Sequence, residues 1–259
     1  MGHEVWPLHT VTFATHTGYG PPTGTVVAPD TLREMTARLQ ELGVLARCRA
    51  VLTGYIGSAE TGAAVLEAVR AVREINPGAL WCCDPVMGDE GRGLFVDDAV
   101  ARFFDDHAAE ADILLPNRFE LAWLADAPAD TAADALAACR ALTARGVGCV
   151  VATGLRETGT DGAARISTIA VGGDGAWRTT VPEIPLAGRP NGAGDLFAAT
   201  FLGRRLHGDG TDTALARAAG ALQGVIAATA AADAPELRLV DAQDEIVAPR
   251  TVPEIETLA

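Results

Sequence analysis

"RPNGAGDLFAATF", residues 189–201, sets three small residues (Gly192, Ala193, Gly194) and one acid, Asp195, directly ahead of an apolar, helix-like run. A helix start offers unpaired N–H groups and the positive end of a dipole, so an anion is stabilised there. Small residues let a ligand approach the backbone closely. Two readings of Asp195 are open. It is either an N-cap, a role Asp favours, or a general base beside a bound anion. Gly192 and Gly194 flank Ala193, a spacing suited to wrapping a phosphate group. If a phosphoryl group is transferred there, Asp195 takes the proton of the attacking hydroxyl. The N–H groups of 192–195 then stabilise the equatorial oxygens.

Upstream of this stretch, apolar runs alternate with helical patterns. "VWPLHTVTF" (5–13) precedes a helix near 30–42, "AVLTG" (50–54) one at 58–75, and "ALWCCD" (79–84) one at 97–107. "DILLP" (112–116) leads into a helix from 117, and a helix over 130–145 leads into "GCVVATG" (148–154). The alternation predicts one α/β domain over 1–259, its mostly parallel central sheet flanked by helices on both faces. "ARISTIAVGGDGAWRTTV" (164–181) reads instead as two strands around a Gly-Gly-Asp-Gly turn, an antiparallel hairpin at one sheet edge. Two helices, near 195–206 and 211–230, close the chain.

The residues that follow these strands are polar: Thr53-Gly54-Tyr55, Asp84-Pro85, Asn117 with Glu120, and Thr153-Gly154. In open α/β sheets ligands sit beyond the carboxyl ends of the strands, so these exits would converge on one crevice. Taken singly, each is only a strand-ending turn. Asp84 and Glu120 could hold Mg²⁺ directly or through waters, because that ion prefers few protein carboxylates. Their plainer readings are an Asp-Pro turn and a first-turn partner of a helix dipole.

Composition narrows the function. The 259 residues carry a formal net charge of −14 with scattered acids, so no basic face exists for nucleic acid. No uninterrupted apolar run approaches the roughly 20 residues of a membrane span, and "MGHEVWPLHTV" lacks the pattern of a secretory signal. Five cysteines, odd in number and without C-x-x-C spacing, read as reduced thiols of a cytoplasmic protein. The chain also lacks G-x-x-x-x-G-K-[ST] and a G-x-G-x-x-G opening a βαβ unit, so any nucleotide phosphate must be gripped at the helix start near 195.

With these residues assembled, the chain resembles the ribokinase superfamily, whose hallmark is a G-x-G-D stretch opening a C-terminal helix, and within it the pyridoxal kinases. "VWPLHTVTFATHTGYG" (5–20), "LTGYIGSAE" (52–60), "CDPVMGDEGRGLFV" (83–96), "LPNRFELAWL" (115–124) and "NGAGDLFAATFL" (191–202) carry the resemblance. It implies a ribokinase-like fold and ATP-dependent phosphorylation of the 5′-hydroxyl of pyridoxal, with pyridoxine and pyridoxamine as further substrates. A hydroxymethylpyrimidine kinase of thiamine synthesis shares the fold and the base, and a non-catalytic binder of pyridoxal phosphate or nucleotide is a third reading.

Position by position, the resemblance makes Asp195 the base and Gly192, Ala193 and Gly194 the anion hole. Thr17, Gly18 and Tyr55 match contacts to the pyridine ring; Asp84, Leu115, Glu120 and Thr153 match the ATP and Mg²⁺ site, with the metal at Asp84 and Glu120. A monovalent cation, a homodimer and a cytoplasmic location are also implied. Val181–Ile184 fall near another ATP-contacting stretch, and residues 87–96 match a mobile flap that excludes water. Tyr55 is otherwise a packing aromatic, and His16 either meets the ring or hydrogen-bonds within its loop. Thr153 stands where some relatives have lysine, which shifts phosphate binding toward the metal.

The resemblance further implies a first strand and helix, roughly thirty residues, ahead of "VWPL", where this sequence has only Met1 to Glu4. Three readings follow: an internal methionine of a longer protein, a truncated relative, or a gap closed by neighbouring strands or a partner chain. The first is favoured, since every recognisable catalytic position is kept.

Overall fold

The helix ends follow from local side-chain chemistry. The computed structural model describes residues 1–186, 188 and 191–259; Arg189 and Pro190 of the glycine-rich stretch lie outside them, as does the Thr17 side chain. A short ribbon of β1 (Val11–Phe13) and β2 (Gly24–Val26) precedes α1 (Pro29–Glu41), which begins on proline. There the missing N–H costs nothing. Then come β3 (Ala50–Thr53) and α2 (Ala59–Ile75), whose cap Ser58 accepts from the Thr61 N–H at 3.1 Å. After β4 (Leu80–Cys83), a two-rung hairpin of β5 (Gly88–Asp89) and β6 (Gly93–Leu94) leads to α3 (Asp98–His107). Asp97 caps α3 by accepting from Val100 N–H at 2.8 Å. Each such cap is worth about 1 kcal/mol.

The second half runs β7 (Ile113–Leu114), α4 (Arg118–Ala125), α5 (Ala132–Ala144), β8 (Cys149–Thr158), β9 (Ala164–Gly172) and β10 (Gly175–Pro182). It ends with α6 (Ala193–Leu206), α7 (Thr211–Ala231), α8 (Gln243–Val247) and β11 (Ile255–Thr257). One seven-stranded sheet takes the order β11-β10-β9-β8-β7-β4-β3. Strands β3, β4, β7 and β8 are parallel, and β8 to β11 pair antiparallel.

Alternation along the strands divides the core. Trp81, Cys83, Leu114, Val150 and Ala152 face helices α2 to α5, while Cys82, Ile113, Cys149 and Val151 face α6 and α7 with Phe197, Phe201 and Leu215. This is the period-2 pattern of a strand buried on both faces. Each fully buried large side chain contributes about 1.5–3 kcal/mol. Helix α7 is long and apolar enough to cross a membrane by composition, yet half of its most apolar window is buried. It is a core helix, in contact with α6 and the sheet. All five cysteines are free and four are buried.

Three expectations need correction. Of "VWPLHTVTF" only residues 11–13 form a strand, and that strand pairs with β2 outside the main sheet. Pro7 lacks a donor, and the segment before it is anchored elsewhere. His3 Nε2 meets Gly203 O at 3.1 Å, and the Arg47 guanidinium lies 5.5 Å from the centre of a Trp6 ring. The hairpin is also not the sheet edge, because β11 pairs beyond β10 through residues 177–179. Nor do two helices close the chain, since α8 and β11 follow them. At the other margin β3 pairs only with β4 among the described residues, and its Leu52 is 41% exposed.

Candidate active site

The parallel strands deliver their polar exits to one end of the sheet. The ladder between β3 and β4 extends one residue past Cys83, with Asp84 N–H donating to Thr53 O at 2.9 Å. Leu115 N–H donates to Cys83 O at 2.9 Å and Thr153 N–H to Pro116 O at 3.0 Å. Asp84, Leu115, Glu120 and Thr153 therefore follow adjacent strands. In the β8–β9 pairing a register shift between Ala152 and Leu155 lifts Thr153 out of that ladder, and an isolated bridge joins it to Asn117. Bulges of this kind re-aim side chains beside active sites.

Helix α6 points its N-terminus at these exits. Its cap is Gly192, at φ 91°, a left-handed conformation natural to glycine. Leu196 N–H makes the first intrahelical bond, to Gly192 O at 2.9 Å, so the N–H groups of Ala193, Gly194 and Asp195 belong to the unpaired first turn. Asp195 is the third helical residue, and the N-cap reading is wrong for it. A Cβ on Gly194 would stand 3.7 Å from Asp84 Oδ2, so the glycine-opened turn faces the end of β4.

Three carboxyls with raised pKa values meet here. Burial pushes Asp84, 9% exposed, well above the usual carboxylate range, and the nearby charges of Glu120 and Asp195 add to it. Asp195 is open to solvent on one side, yet desolvation within the crevice raises it too. Glu120, 2% exposed, is pushed up to about 7 by burial, against backbone N–H groups that favour its charged form. Those donors are Met87 at 2.9 Å and Gly88 at 3.5 Å on Oε1, and Asn117 at 2.9 Å on Oε2. Glu120 is thus half of a capping box with Asn117, and both its oxygens are engaged.

The remaining expected residues take varied places. Leu115 is buried in the core beneath α6. Tyr55 follows β3, and its carbonyl accepts from Thr10 Oγ1 at 2.7 Å. Val181 and Pro182 end β10, and Glu183 pairs with Arg156 at 3.1 Å. The 87–96 segment is the β5–β6 hairpin, whose turn residue Glu90 pairs with Arg118 at 2.5 Å. Thr17–Tyr19 form a single 3-10 turn. Gly18 fits tightly there, since a Cβ would lie 2.6 Å from Asn191 Nδ2.

Sequence reasoning missed Tyr19, Asn191 and Glu236, and a packing contact from Leu237. His16 Nδ1 takes hydrogen bonds from Gly18 N–H at 3.0 Å and Asn191 Nδ2 at 2.9 Å, while its Nε2 lies 2.8 Å from Glu236 Oε1. Tyr19 OH donates to that same oxygen at 2.6 Å. Leu237 stands beside the turn, 3.8 Å from where a Cβ on Gly192 would be. Asn191 had a local signal, adjoining the glycine stretch. Glu236 had none.

A sheet whose strand exits face a glycine-opened helix with a first-turn carboxylate defines the ribokinase-like small-molecule kinases. A profile of the phosphomethylpyrimidine kinase family matches residues 23–236. The pyridoxal kinase PdxY of Rubrobacter xylanophilus is 44% identical over 250 residues, 96% of this chain and 86% of that protein. PdxY of Deinococcus radiodurans is 43% identical over 255 residues, 96% of this chain and 85% of its own length. The solved pyridoxal kinase of Leishmania donovani, in complex with ADP and pyridoxamine, superposes with a TM-score of 0.86 at 28% identity. That match covers 97% of this chain and 88% of the other. The chain belongs to the phosphomethylpyrimidine kinase family, on its pyridoxal kinase branch.

Proposed function

We propose that this chain, as one kinase domain, transfers the γ-phosphoryl group of ATP to the 5′-hydroxyl of pyridoxal, giving pyridoxal 5′-phosphate and ADP. The observation that carries the reading is Asp195 in the first turn of α6, beside unpaired N–H groups and facing Asp84 across Gly194. Asp195 accepts the hydroxyl proton as the oxygen bonds to phosphorus. The bond from phosphorus to the ADP oxygen breaks, and ADP leaves with the electron pair. The N–H groups of Gly192, Ala193, Gly194 and Asp195 hold the charge that develops on the transferring group. Thr17, Gly18 and Tyr55 contact the ring, and Leu115 and Thr153 line the nucleotide side.

The donor set fits Mg²⁺. Buried Asp84 gains from a cation that offsets Glu120 and Asp195, and no cluster of three ligating side chains stands among the described residues. An ion that keeps its waters and takes phosphate oxygens suits such a site. Asp84 would hold it, directly or through water. Glu120, its oxygens already committed to backbone N–H groups, would act from behind as a charge. When bound, the metal neutralises charge on the ATP phosphates. A monovalent cation, a homodimer and a cytoplasmic location complete the reading; the free, mostly buried cysteines accord with a reducing compartment.

The family profile, named for phosphomethylpyrimidine, supports a second reading in which hydroxymethylpyrimidine is the acceptor. The test is a panel of pyridoxal, pyridoxine, pyridoxamine and hydroxymethylpyrimidine with Mg-ATP, using Asp195→Asn as the blank. Pyridoxal 5′-phosphate formation with the highest kcat/KM for a B6 vitamer is the expected result. A preference for hydroxymethylpyrimidine would replace the first reading with the second. Binding without turnover of any acceptor would make the chain a binder.

A further inference from the structure

Glu236 gathers two aromatic residues from the opposite end of the chain onto one carboxylate oxygen. His16 and Tyr19, whose ring centres lie 4.7 Å apart, bracket the Thr17–Gly18 backbone, and both reach Glu236 Oε1. Because Gly18 N–H donates to His16 Nδ1, the ring proton sits on Nε2 and is donated to Glu236. The same Nδ1 takes the Asn191 amide, one residue before the Gly192 turn. Leu237, next to Glu236, lies against that turn. The two hydrogen bonds from His16 and Tyr19 also hold the Glu236 carboxyl below its ordinary range. These side chains are partly or largely exposed, so the cluster is not core packing.

We propose that Glu236 is a positioning residue for the acceptor substrate: by holding His16 and Tyr19 it fixes the 16–19 loop against Asn191 and the Gly192 turn. The loop that meets the vitamin ring and the cradle that meets the phosphoryl group are then held in one frame. Small displacements between two reacting partners cost rate, which is what such a tie prevents. The inference rests on the pyridoxal kinase reading, since it takes the 16–19 loop as the acceptor side.

Three proteins decide it: the parent chain, Glu236→Ala and Glu236→Gln. The alanine variant loses the shared acceptor, and its KM for pyridoxal is expected to rise about tenfold. Its KM for ATP stays within about twofold and its melting temperature within about 2 °C, as for an exposed substitution. Glutamine keeps an acceptor oxygen and restores the pyridoxal KM to within about threefold of the parent. An unchanged pyridoxal KM in Glu236→Ala, or equal rises in both KM values, overturns the proposal. If the parent itself fails to turn over, the kinase reading falls. Amide exchange over residues 14–20 then decides the tie: faster exchange in Glu236→Ala upholds it, and equal protection overturns it.

Discussion

Asn117 and Glu120 hold each other at the start of α4: Glu120 N–H donates to Asn117 Oδ1 at 3.0 Å, and Asn117 N–H donates to Glu120 Oε2 at 2.9 Å. The second Glu120 oxygen reaches Met87 N–H, and Asn117 Nδ2 donates to Gly88 O at 2.8 Å. The capping box therefore also anchors the base of the β5–β6 hairpin. Such a carboxylate stabilises by its hydrogen bonds and destabilises by its buried charge, and pH separates the two effects.

With a folded pKa of about 7 against an ordinary 4.5, Glu120 keeps a proton that the unfolded chain has released. Stability should therefore fall as pH rises through that window, by about 3 kcal/mol from this group in the metal-free protein. Glu120→Gln removes the titration, so its stability should vary less between about pH 5 and pH 7. Urea unfolding in EDTA across that range measures both slopes. Parallel slopes for parent and variant would assign the titration to another group.

Asp84 makes a separate prediction about metal. Its raised pKa comes from burial first and then from Glu120 and Asp195, a conflict that a divalent cation relieves. Adding Mg²⁺ to the ADP-bound parent should raise the melting temperature by binding linkage. In Asp84→Asn that increment should vanish while ADP alone still stabilises. An undiminished Mg²⁺ increment in the variant would place the ion elsewhere.

The two glycines of the turn should respond differently. Gly192 sits at φ 91°, so Gly192→Ala imposes left-handed strain of about 1–2 kcal/mol and lowers both stability and activity. Gly194 has ordinary helical geometry, and a Cβ there meets Asp84 Oδ2 at an acceptable 3.7 Å. Gly194→Ala should hold or gain stability, by up to about 1 kcal/mol, yet lose most of its kcat because the methyl group stands in the cradle. Thermal melts beside steady-state rates separate the two cases. Full activity in Gly194→Ala would remove that residue from the cradle.

Much of this was legible because it depends on near neighbours in sequence. The N-x-x-E pattern at Asn117 marks a helix start, and helices α2, α3 and α5 fall within two residues of their periodic patterns. Residues 5–10 misled because β-branched and apolar residues suggest a strand, yet pairing needs a partner, and only 11–13 find one. The β11 strand, three residues long, is too short to show alternation. Glu236 was invisible for another reason: its partners His16 and Tyr19 lie 220 and 217 residues away, and no local pattern encodes that meeting.

The sharpest prediction concerns Asp195. Its carboxyl pKa is raised by desolvation, which makes it a better proton acceptor than an ordinary surface aspartate. Asp195→Asn keeps the shape of the first turn and the unpaired N–H groups but cannot take a proton. Loss of general-base catalysis should lower kcat by about 10²–10⁴. ATP affinity should stay within about threefold, because the backbone cradle is untouched. Calorimetric ATP titration and a coupled ADP assay on the same preparation give both numbers. A variant that binds ATP normally and turns over at the parent's rate would show that the hydroxyl loses its proton to some other group, and Asp195 would be left as a charge near the metal.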